Sequence, residues 1–354
     1  MDVLVIELPN GELKSSSFHV RFGSLKVMKS RETEVEIYVN SKYTPLKMKL
    51  TNNGDAYFMH NEYGTALTQN TEYNYDNDNN NQFIPSSKTF ISQNNSNKLP
   101  DLKKNNKFFP TSSQLKQLNL QKGENEICFV VNTSQNGIQT LKTFIYLWPS
   151  TVKIVISDID GTITRSDILG QVLPFFGGKW SHEGVIELYN SIAKNGYKFL
   201  YLTARAIGQS NMTKNYLENL MQERQNLPRG PLLMSPDGIF SSLKREVIEK
   251  KPHLLKISVL TEIKNLFPDD YNPFYAGFGN RETDGVAYRM LDIPLDNIYI
   301  IDSKSNVTQL GEGRITNYKS LNYKLAINFP KLNGENNKNE KDNEIKVYTL
   351  SDFI

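Results

Sequence analysis

Apolar and polar residues alternate in several short runs of the chain, and this pattern predicts β-strands. The runs are separated by turns rich in glycine and asparagine, and they span residues 3–8, 18–22, 35–39, 46–50, 126–131 and 141–148. Short strands with such turns are typical of β-sandwiches. A pair of strands alone is only marginally stable. We therefore expect one sandwich, with residues 1–67 supplying its first half and residues 118–150 the rest.

The alternating pattern disappears between these two groups of strands, in residues 68–117. This stretch contains the asparagine-rich tracts 74–82 and 92–97. Polar tracts of this kind bury too little apolar surface to offset the entropy of ordering the chain. We predict a flexible linker over residues 68–117.

Strands and helices alternate after Thr151, which is typical of an α/β domain with a parallel sheet. The continuous apolar run Ile154-Val155-Ile156 indicates a strand buried on both faces. The predicted strands span residues 154–156, 197–202, 231–235, 274–278 and 298–301, and the predicted helices span residues 182–194, 211–225, 241–250, 256–267 and 283–291. We expect a doubly wound α/β domain over residues 151–325. A polar tail follows in residues 326–354, where residues 344–350 fit one last strand.

Composition narrows the classes of protein to which the chain can belong. The net charge is only +3 over 354 residues, which gives no sign of a nucleic-acid partner. The single cysteine, Cys128, excludes an intrachain disulfide and agrees with a reducing compartment. The sequence contains no signal peptide and no apolar run as long as a membrane span. We therefore expect a soluble or peripheral protein.

The first predicted α/β strand ends in two carboxylates, Asp158 and Asp160, followed by Gly161 and Thr162. Unpaired acids are costly to bury, so these belong at the carboxyl end of the strand, where parallel sheets bind their ligands. Asp-x-Asp-x-Thr after an apolar strand resembles the signature of the haloacid-dehalogenase-like phosphotransferases. The resemblance implies that Asp158 attacks phosphorus to form an aspartyl-phosphate, with Asp160 as general acid and base. Gly161 and Thr162 are then expected to contact the substrate.

Two further strand ends offer groups that suit a phosphate ester. Thr203 can hold a phosphate oxygen or cap the next helix, and one residue can do both. Arg205 adds positive charge beside it, and we assign Arg205 and Arg281 to substrate binding. A lysine is needed to neutralise the transferring phosphoryl group, and we choose Lys256 with Lys251 as its rival.

Oxygen-containing residues at the third strand end suit Mg²⁺, which keeps several waters and shares a carboxylate with the phosphate. The expected shell consists of Asp158, the backbone carbonyl of Asp160, Asn280 and, directly or through water, Asp284. Many members of the superfamily that the chain resembles have Asp where Asn280 stands. A neutral ligand there makes the site one charge less negative, which eases the approach of a doubly charged phosphate.

Six stretches together resemble the lipin family of Mg²⁺-dependent phosphatidate phosphatases. They are residues 8–11, 17–23, 157–167, 196–209, 244–252 and 278–281. The resemblance implies removal of phosphate from phosphatidate to give diacylglycerol, a step of glycerolipid synthesis. It also implies that the sandwich is immunoglobulin-like and that the protein contacts membranes peripherally. We expect a cytoplasmic protein that visits the endoplasmic reticulum or the nuclear envelope.

Two features of the sequence bear on how the protein meets a lipid. Lipins usually begin with a membrane-binding amphipathic helix, whereas this chain starts on a predicted strand at Asp2. That helix is either lost or trimmed, so autonomous membrane binding is not expected. Residues 173–180 are unusually apolar, and Phe175, Phe176 and Trp180 either graze the bilayer near the site or pack a cap onto the domain.

Two alternatives to a phosphatidate phosphatase stay open at this point. One is a related phosphatase that acts on soluble esters or phosphoproteins, which activity on phosphatidate in micelles distinguishes. The other is a non-catalytic module that binds phosphatidate. The presence of both Asp158 and Asp160 argues against this module, because lipid binding alone has no need for the second acid.

Overall fold

The computed structural model describes residues 1–22, 34–51, 54–59, 108–133, 137–165, 181–206, 210–222, 224–235 and 252–332. Within these ranges the chain forms two large β-sheets, one two-stranded hairpin and seven α-helices. The helix expected at 241–250 and the last strand expected at 344–350 lie outside the described residues.

The first sheet has eight strands, and strands from both sides of residues 60–107 hydrogen-bond within it. They are β1 (Val3–Glu7), β2 (Leu13–Ser15), β3 (Val20–Arg21), β4 (Glu34–Val39), β5 (Lys42–Leu50), β6 (Asp55–Phe58), β7 (Gly123–Thr133) and β8 (Gly137–Pro149). Their order is β2-β1-β8-β7-β4-β5-β6-β3. Only β1 and β8 run parallel to each other, with Val5 opposite Leu147, and the other described neighbours are antiparallel.

This sheet curls around one hydrophobic core. Val5 near one edge and Val20 at the other belong to the same buried cluster as Ile37, Met48 and Phe129 in the middle. Alternate side chains of each strand therefore face inward, as the sequence pattern predicts. The described strands form one curled sheet, and the immunoglobulin-like sandwich stays a prediction.

A short helix corrects the predicted linker at its C-terminal end. Helix α1 (Ser112–Gln117) lies inside residues 68–117, which composition assigned to a flexible segment. The Thr111 hydroxyl accepts the Gln114 N–H, and the Gln114 side chain accepts the Thr111 N–H, which makes a capping box. Leu115 and Leu118, on one side of the helix, are buried in the core of the curled sheet. The cap and this apolar pair outweigh the polar composition around them.

The second sheet is mostly parallel and confirms the doubly wound α/β prediction. Its strands are β9 (Ile154–Asp158), β10 (Lys198–Ala206), β13 (Leu232–Ser235), β14 (Phe274–Gly279), β15 (Ile298–Ile301), β16 (Val307–Gln309) and β17 (Arg314–Thr316), while β11 (Met221–Gln222) and β12 (Gln225–Asn226) form a separate hairpin. The order is β13-β10-β9-β14-β15-β16-β17, with the first five parallel. Strand β9 comes first in sequence but lies in the middle, so the strand order reverses at its carboxyl end.

Six helices follow α1, and a 3-10 turn (Leu295–Asn297) precedes β15. They are α2 (Val185–Lys194), α3 (Ser210–Asn219), α4 (Pro252–Lys264), α5 (Glu282–Met290), α6 (Tyr318–Tyr323) and α7 (Leu325–Asn328). Helix α4 begins four residues before the predicted start, so Lys256 lies in its second turn instead of opening it. Across the described ranges, no helix has the length and apolar content needed to cross a bilayer.

The helix expected over residues 211–225 is wrong in its last part, where the chain forms the β11–β12 hairpin. Arg224 adopts a left-handed φ of 63° in the turn of this hairpin. The Asn226 side chain donates to the Glu218 carbonyl near the end of α3, and the Gln222 side chain donates to the His182 carbonyl. These side-chain contacts outweigh the local helical propensity of the segment.

The curled sheet packs against one face of the parallel sheet and its helix α4. Leu4 of β1 and Trp148 of β8 share a buried cluster with Ile154 of β9. Ser17, just before β3, donates its N–H and its hydroxyl to the Glu262 carboxylate on α4, at 2.7 and 2.9 Å. The helix that carries Lys256 is therefore tied to both sheets.

Candidate active site

The register of the parallel sheet brings three strand ends together. Asp158, the last residue of β9, lies opposite Leu202 of β10, and Ser157 lies opposite Phe278 of β14. Thr203 and Asn280 therefore flank the turn that follows Asp158, one on each side. Neighbouring strands lie about 4.8 Å apart, so groups at these ends can reach one bound molecule.

A buried lysine joins two carboxylates on the β14 side of this turn. Lys256 Nζ lies 2.8 Å from Asp158 Oδ1 and 2.6 Å from Asp284 Oδ1. The three residues are 8%, 5% and 1% exposed. Asp284 lies in the first turn of α5, and its second oxygen accepts the backbone N–H groups of Asn280 and Arg281 at 3.0 and 3.1 Å. We name Asp158, Lys256 and Asp284 the buried triad.

With both of its carboxylates ionised, the buried triad carries one net negative charge in a poorly solvated place. Burial raises the pKa of Asp158 to about 7; Lys256 opposes this rise and Asp284 adds to it. Burial lowers the pKa of Lys256, but the two carboxylates outweigh it and leave that pKa above its ordinary value. Both pKa values are raised, so each group favours its protonated form, which makes the triad less negative. A bound cation would supply the charge that the triad lacks.

Asp160 lies on the β10 side of the turn in a different setting. Arg205 approaches it side-on with two nitrogens, Nη2 at 2.6 Å from Oδ1 and Nε at 3.2 Å from Oδ2. The Thr203 hydroxyl donates to Oδ2 at 3.0 Å and accepts the Arg205 N–H at 3.2 Å. Arg205 also reaches the Thr213 hydroxyl on α3 at 3.3 Å. We name Asp160, Arg205 and Thr203 the arginine cluster.

The turn that follows β9 is tightly constrained. Gly161 has a φ of 80°, a left-handed conformation that glycine adopts at little cost. Its N–H donates to the Thr164 hydroxyl at 3.1 Å. The Thr162 hydroxyl is fully buried, and no hydrogen-bond partner for it occurs among the described residues. An unpartnered buried hydroxyl in the turn that follows Asp158 is available to a ligand.

Three residues that the sequence did not single out hold this turn and the end of β9 in place. Tyr318 donates its hydroxyl to the Thr162 carbonyl at 2.8 Å. His182 Nε2 lies 3.2 Å from the Gly161 carbonyl oxygen, and the Tyr189 hydroxyl lies 2.9 Å from the Ser157 hydroxyl. Their sequence spacing matches ordinary core positions, so no sequence signal marks them.

The donors at this site fit Mg²⁺ in kind. Asp158 and the Asn280 amide lie at adjacent strand ends and offer oxygen ligands, and the triad has an excess negative charge to match a cation. In the described part of the chain no three His, Cys, Asp or Glu side chains converge as a metal site. The expected shell does not need three, because it combines one carboxylate with a backbone carbonyl, an amide and waters. Asp284 already accepts hydrogen bonds from Lys256 and from two backbone N–H groups. It therefore suits a contact with Mg²⁺ through water better than direct coordination.

The remaining expected residues are placed as follows. The Arg281 side chain is exposed at the residue before α5. Lys251, the rival of Lys256, lies outside the described residues, as do Phe175, Phe176 and Trp180 of the apolar segment.

Comparison with known families gives two matches that together cover most of the chain. The model for the lipin N-terminal conserved region matches residues 1–77. The LNS2 model, described as Lipin/Ned1/Smp2, matches residues 106–330.

Curated relatives match over more than half of the chain. It is 52% identical over 198 residues to "Phosphatidate phosphatase PAH1" of Arabidopsis thaliana, which is 56% of this chain and 22% of that protein. It is 49% identical over 199 residues to "Phosphatidate phosphatase LPIN1" of Homo sapiens, again 56% and 22%. It is 46% identical over 207 residues to "Phosphatidic acid phosphohydrolase 1" of Saccharomyces cerevisiae, 56% and 24%. The chain therefore matches less than a quarter of the length of these relatives.

Proposed function

The chain belongs to the lipin family, and from this premise we propose that it hydrolyses phosphatidate to diacylglycerol and phosphate. The observation that carries the proposal is the different pairing of two acids in one motif. Asp158, with a side chain 7% exposed, joins a lysine shared with a second carboxylate, and Asp160, with a side chain 22% exposed, joins an arginine; both lie at the strand end where the sheet order reverses. Two carboxylates in separated environments are what a nucleophile and a general acid require.

In the proposed reaction Asp158 is the nucleophile. An oxygen of its carboxylate forms a bond to phosphorus while the bond from phosphorus to the glycerol oxygen breaks. Asp160 gives its proton to that leaving oxygen, and diacylglycerol departs. Asp160 then takes a proton from water, which attacks phosphorus and breaks the bond to Asp158. Phosphate is released and both acids return to their first state.

Asp160 must break its ion pair with Arg205 before it can transfer a proton. As the site stands, both Asp160 oxygens accept from the arginine cluster. We infer that an arriving phosphate takes over Arg205, which frees the Asp160 carboxylate to take up a proton from solvent and to turn toward the leaving oxygen. A guanidinium suits this exchange, because it binds carboxylates and phosphates with the same two-pronged geometry.

The other residues bind and neutralise the phosphoryl group. Lys256 offers a positive charge next to the nucleophile, where negative charge accumulates in the transition state. The hydroxyls of Thr203 and Thr162, together with the Gly161 turn, hold phosphate oxygens. Arg281 is assigned to the entrance of the site. Mg²⁺, when bound by Asp158, the Asp160 carbonyl and Asn280, supplies the remaining charge neutralisation, with Asp284 behind Lys256 in support.

The proposal extends to the organisation of the protein. We assign the strands of residues 1–67 and 118–150 to an immunoglobulin-like unit and residues 151–325 to a haloacid-dehalogenase-like catalytic unit. The relatives are named for activity on phosphatidate, a membrane lipid, so peripheral contact with a membrane is part of the proposal. We place this contact at the cytoplasmic side of the endoplasmic reticulum or the nuclear envelope.

Phosphate release from phosphatidate in detergent micelles tests the proposal. The purified chain is assayed with Mg²⁺ and with a chelator, beside the Asp158→Asn variant and with a soluble aryl phosphate as second substrate. We expect release from the lipid that needs Mg²⁺ and disappears in the variant. Cleavage of the aryl phosphate alone would replace phosphatidate by a soluble ester as substrate. Binding of phosphatidate without release from either compound would refute the enzyme and favour a lipid-binding module.

A further inference from the structure

His182 connects two loops at the carboxyl end of the parallel sheet. It lies three residues before α2 and is 0% exposed. Its Nε2 is 3.2 Å from the Gly161 carbonyl oxygen in the turn after β9, and its Nδ1 is 2.8 Å from the Ser305 hydroxyl. Ser305 belongs to the turn between β15 and β16. The imidazole therefore spans from the turn that carries Asp160 to the neighbouring hairpin.

The partners of His182 define which ring nitrogen carries the proton. A carbonyl oxygen only accepts, so Nε2 must be the donor to Gly161. In the neutral ring Nδ1 then accepts, and the Ser305 hydroxyl donates to it. Burial lowers the pKa of His182 and so favours this neutral ring. With both nitrogens engaged and no exposed surface, the ring does not touch a substrate.

The Ser305 hydroxyl is itself held in place by its turn. Ser305 has a φ of 71°, a left-handed conformation that is strained for a residue with a side chain. The Asp302 carboxylate accepts the backbone N–H groups of Lys304 and Asn306, both at 2.8 Å, and stabilises this conformation. The hairpin thus presents the Ser305 hydroxyl to Nδ1 of His182 in a fixed position.

The Gly161 carbonyl that His182 holds lies one residue after Asp160. The N–H groups of Thr162, Ile163 and Thr164 all donate to the Ile159 carbonyl, at 3.0 to 3.3 Å, and close the turn. Groups from other segments fix how this turn lies over the sheet, among them the His182 backbone N–H, which donates to the Ile163 carbonyl at 3.0 Å. Tyr318 holds the Thr162 carbonyl and His182 holds the Gly161 carbonyl.

We propose that His182 is a positioning residue for the nucleophile turn: its Nε2–H fixes the Gly161 carbonyl, and through it the direction from which Asp160 meets the leaving oxygen. The inference rests on the proposed phosphatase function for its kinetic consequence only. Its structural content concerns one hydrogen bond and one turn. A reacting group displaced by about 1 Å can cost on the order of 10²-fold in rate.

Two amide substitutions separate the two hydrogen bonds of His182. In His182→Gln the amide nitrogen can occupy the place of Nε2 and still donate to Gly161. In His182→Asn the shorter amide occupies the place of Nδ1, reaching Ser305 but not Gly161. His182→Phe keeps the ring volume and removes both bonds, and Ser305→Ala removes only the outer partner.

The first measurement is steady-state hydrolysis of a soluble aryl phosphate and of phosphatidate in micelles, at saturating Mg²⁺. We expect His182→Asn and His182→Phe to lower kcat on phosphatidate by about 10- to 100-fold, with KM within about threefold of wild type. We expect His182→Gln and Ser305→Ala to stay within about fivefold. A His182→Gln variant as impaired as His182→Phe would overturn the proposal, since the retained donor would then be irrelevant.

The second measurement is hydrogen exchange of the backbone amides in residues 159–164, with the global unfolding midpoint as reference. Faster exchange there in His182→Asn and His182→Phe, but not in His182→Gln, supports the proposal at equal global stability. Unchanged exchange in all variants overturns it. If the wild-type chain hydrolyses neither ester, the proposed function fails, and the exchange pattern alone decides the role of His182.

Discussion

The two acids of one short motif lie in opposite surroundings. Asp158 belongs to the buried triad, where two carboxylates share one lysine and the net charge is negative. Asp160, two residues later, belongs to the arginine cluster, where one guanidinium balances one carboxylate. The Asp160 side chain is 22% exposed, whereas the side chains of Asp158 and Asp284 are 7% and 2% exposed; their cationic partners Arg205 and Lys256 are alike, at 11% and 10%.

This difference shows how neighbouring residues of the same type acquire separate tasks. A buried group with excess negative charge is held in position and attracts a cation, which suits a nucleophile that shares a metal with its substrate. A neutral, partly accessible pair can open when an anion arrives, which suits a group that moves a proton. Substitutions on each side should therefore have different signatures.

The largest effect is expected on the triad side, from Asp158→Asn. The amide is isosteric and can still accept from Lys256, but it cannot attack phosphorus. Hydrolysis of phosphatidate and of an aryl phosphate should both fall by at least about 10⁴-fold, as measured by phosphate release. Asp270→Asn, at an exposed position, is the matched control and should be unchanged. Appreciable turnover by Asp158→Asn would mean that the nucleophile lies elsewhere.

The next effect is expected on the arginine side, from Asp160→Asn. Loss of the general acid should slow phosphatidate hydrolysis by about 10²–10⁴-fold. An aryl phosphate with an acidic leaving group needs little help in its first step, so its initial burst of aryl alcohol should survive. Equal loss of the burst and of lipid turnover would erase the difference between the two acids.

Lys256→Met tests the charge balance of the triad. Without the lysine, Asp158 and Asp284 remain buried without their cationic partner, and we expect the free energy of unfolding to fall by about 3–5 kcal/mol in urea titrations. Turnover should fall by about 10²–10³-fold. Lys264→Met, on the same helix, removes an exposed pair with Asp292 and should cost at most about 1 kcal/mol. Similar stability losses for the two variants would contradict the triad.

Arg205→Lys tests whether the arginine cluster works through geometry or charge. Lysine keeps the charge but cannot bind Asp160 or a phosphate with two parallel bonds. We expect KM for phosphatidate to rise about 3- to 10-fold with kcat within about threefold. The exposed Arg229→Lys serves as control. A large fall in kcat at constant KM would assign Arg205 to the chemical step instead of binding.

The smallest effect concerns acid stability, which must be separated from titration at the site. Burial lowers the pKa of His19, next to Ser17 at the contact between the sheets, from 6.5 to about 4. Between these values the unfolded chain binds a proton that the folded chain excludes, so stability falls with decreasing pH, by at most about 3 kcal/mol. Burial raises the pKa of Glu262, which opposes this loss.

Urea titrations across this pH range check the His19 contribution. His19→Gln should flatten the loss of stability between pH 6.5 and 4, while activity at neutral pH stays close to wild type. An unchanged slope would mean that other groups cause the acid loss. With the slope known, any remaining fall of activity in acid can be assigned to the site.

The sequence was most informative where one physical constraint dominates a segment. The apolar run before Asp158 predicted a strand buried on both faces of a parallel sheet, and the structure confirms it. The ends of the adjacent strands correctly brought Thr203 and Asn280 next to the Asp158 turn. That these strands run parallel follows from the alternation of strands and helices.

The sequence was least informative where contacts between distant segments determine the position of a side chain or the type of a local element. Arg205 was expected to face the substrate, whereas its guanidinium binds Asp160, because only the fold shows which acid lies within reach. His182 and Tyr318 support the turn from far along the chain, and neither stands out by type or spacing. Helix α1 and the β11–β12 hairpin depend in the same way on caps and packing that a local pattern does not contain.

The central claim is that Asp158 carries the phosphoryl group and Asp160 releases it. The most direct test is to mix enzyme with a radiolabelled aryl phosphate, quench in acid, and map the labelled peptide. We predict label sensitive to hydroxylamine on the peptide containing residues 154–165 in wild type, more of it in Asp160→Asn, and none in Asp158→Asn. Label retained in Asp158→Asn, or turnover without labelled protein in both other forms, would contradict the account.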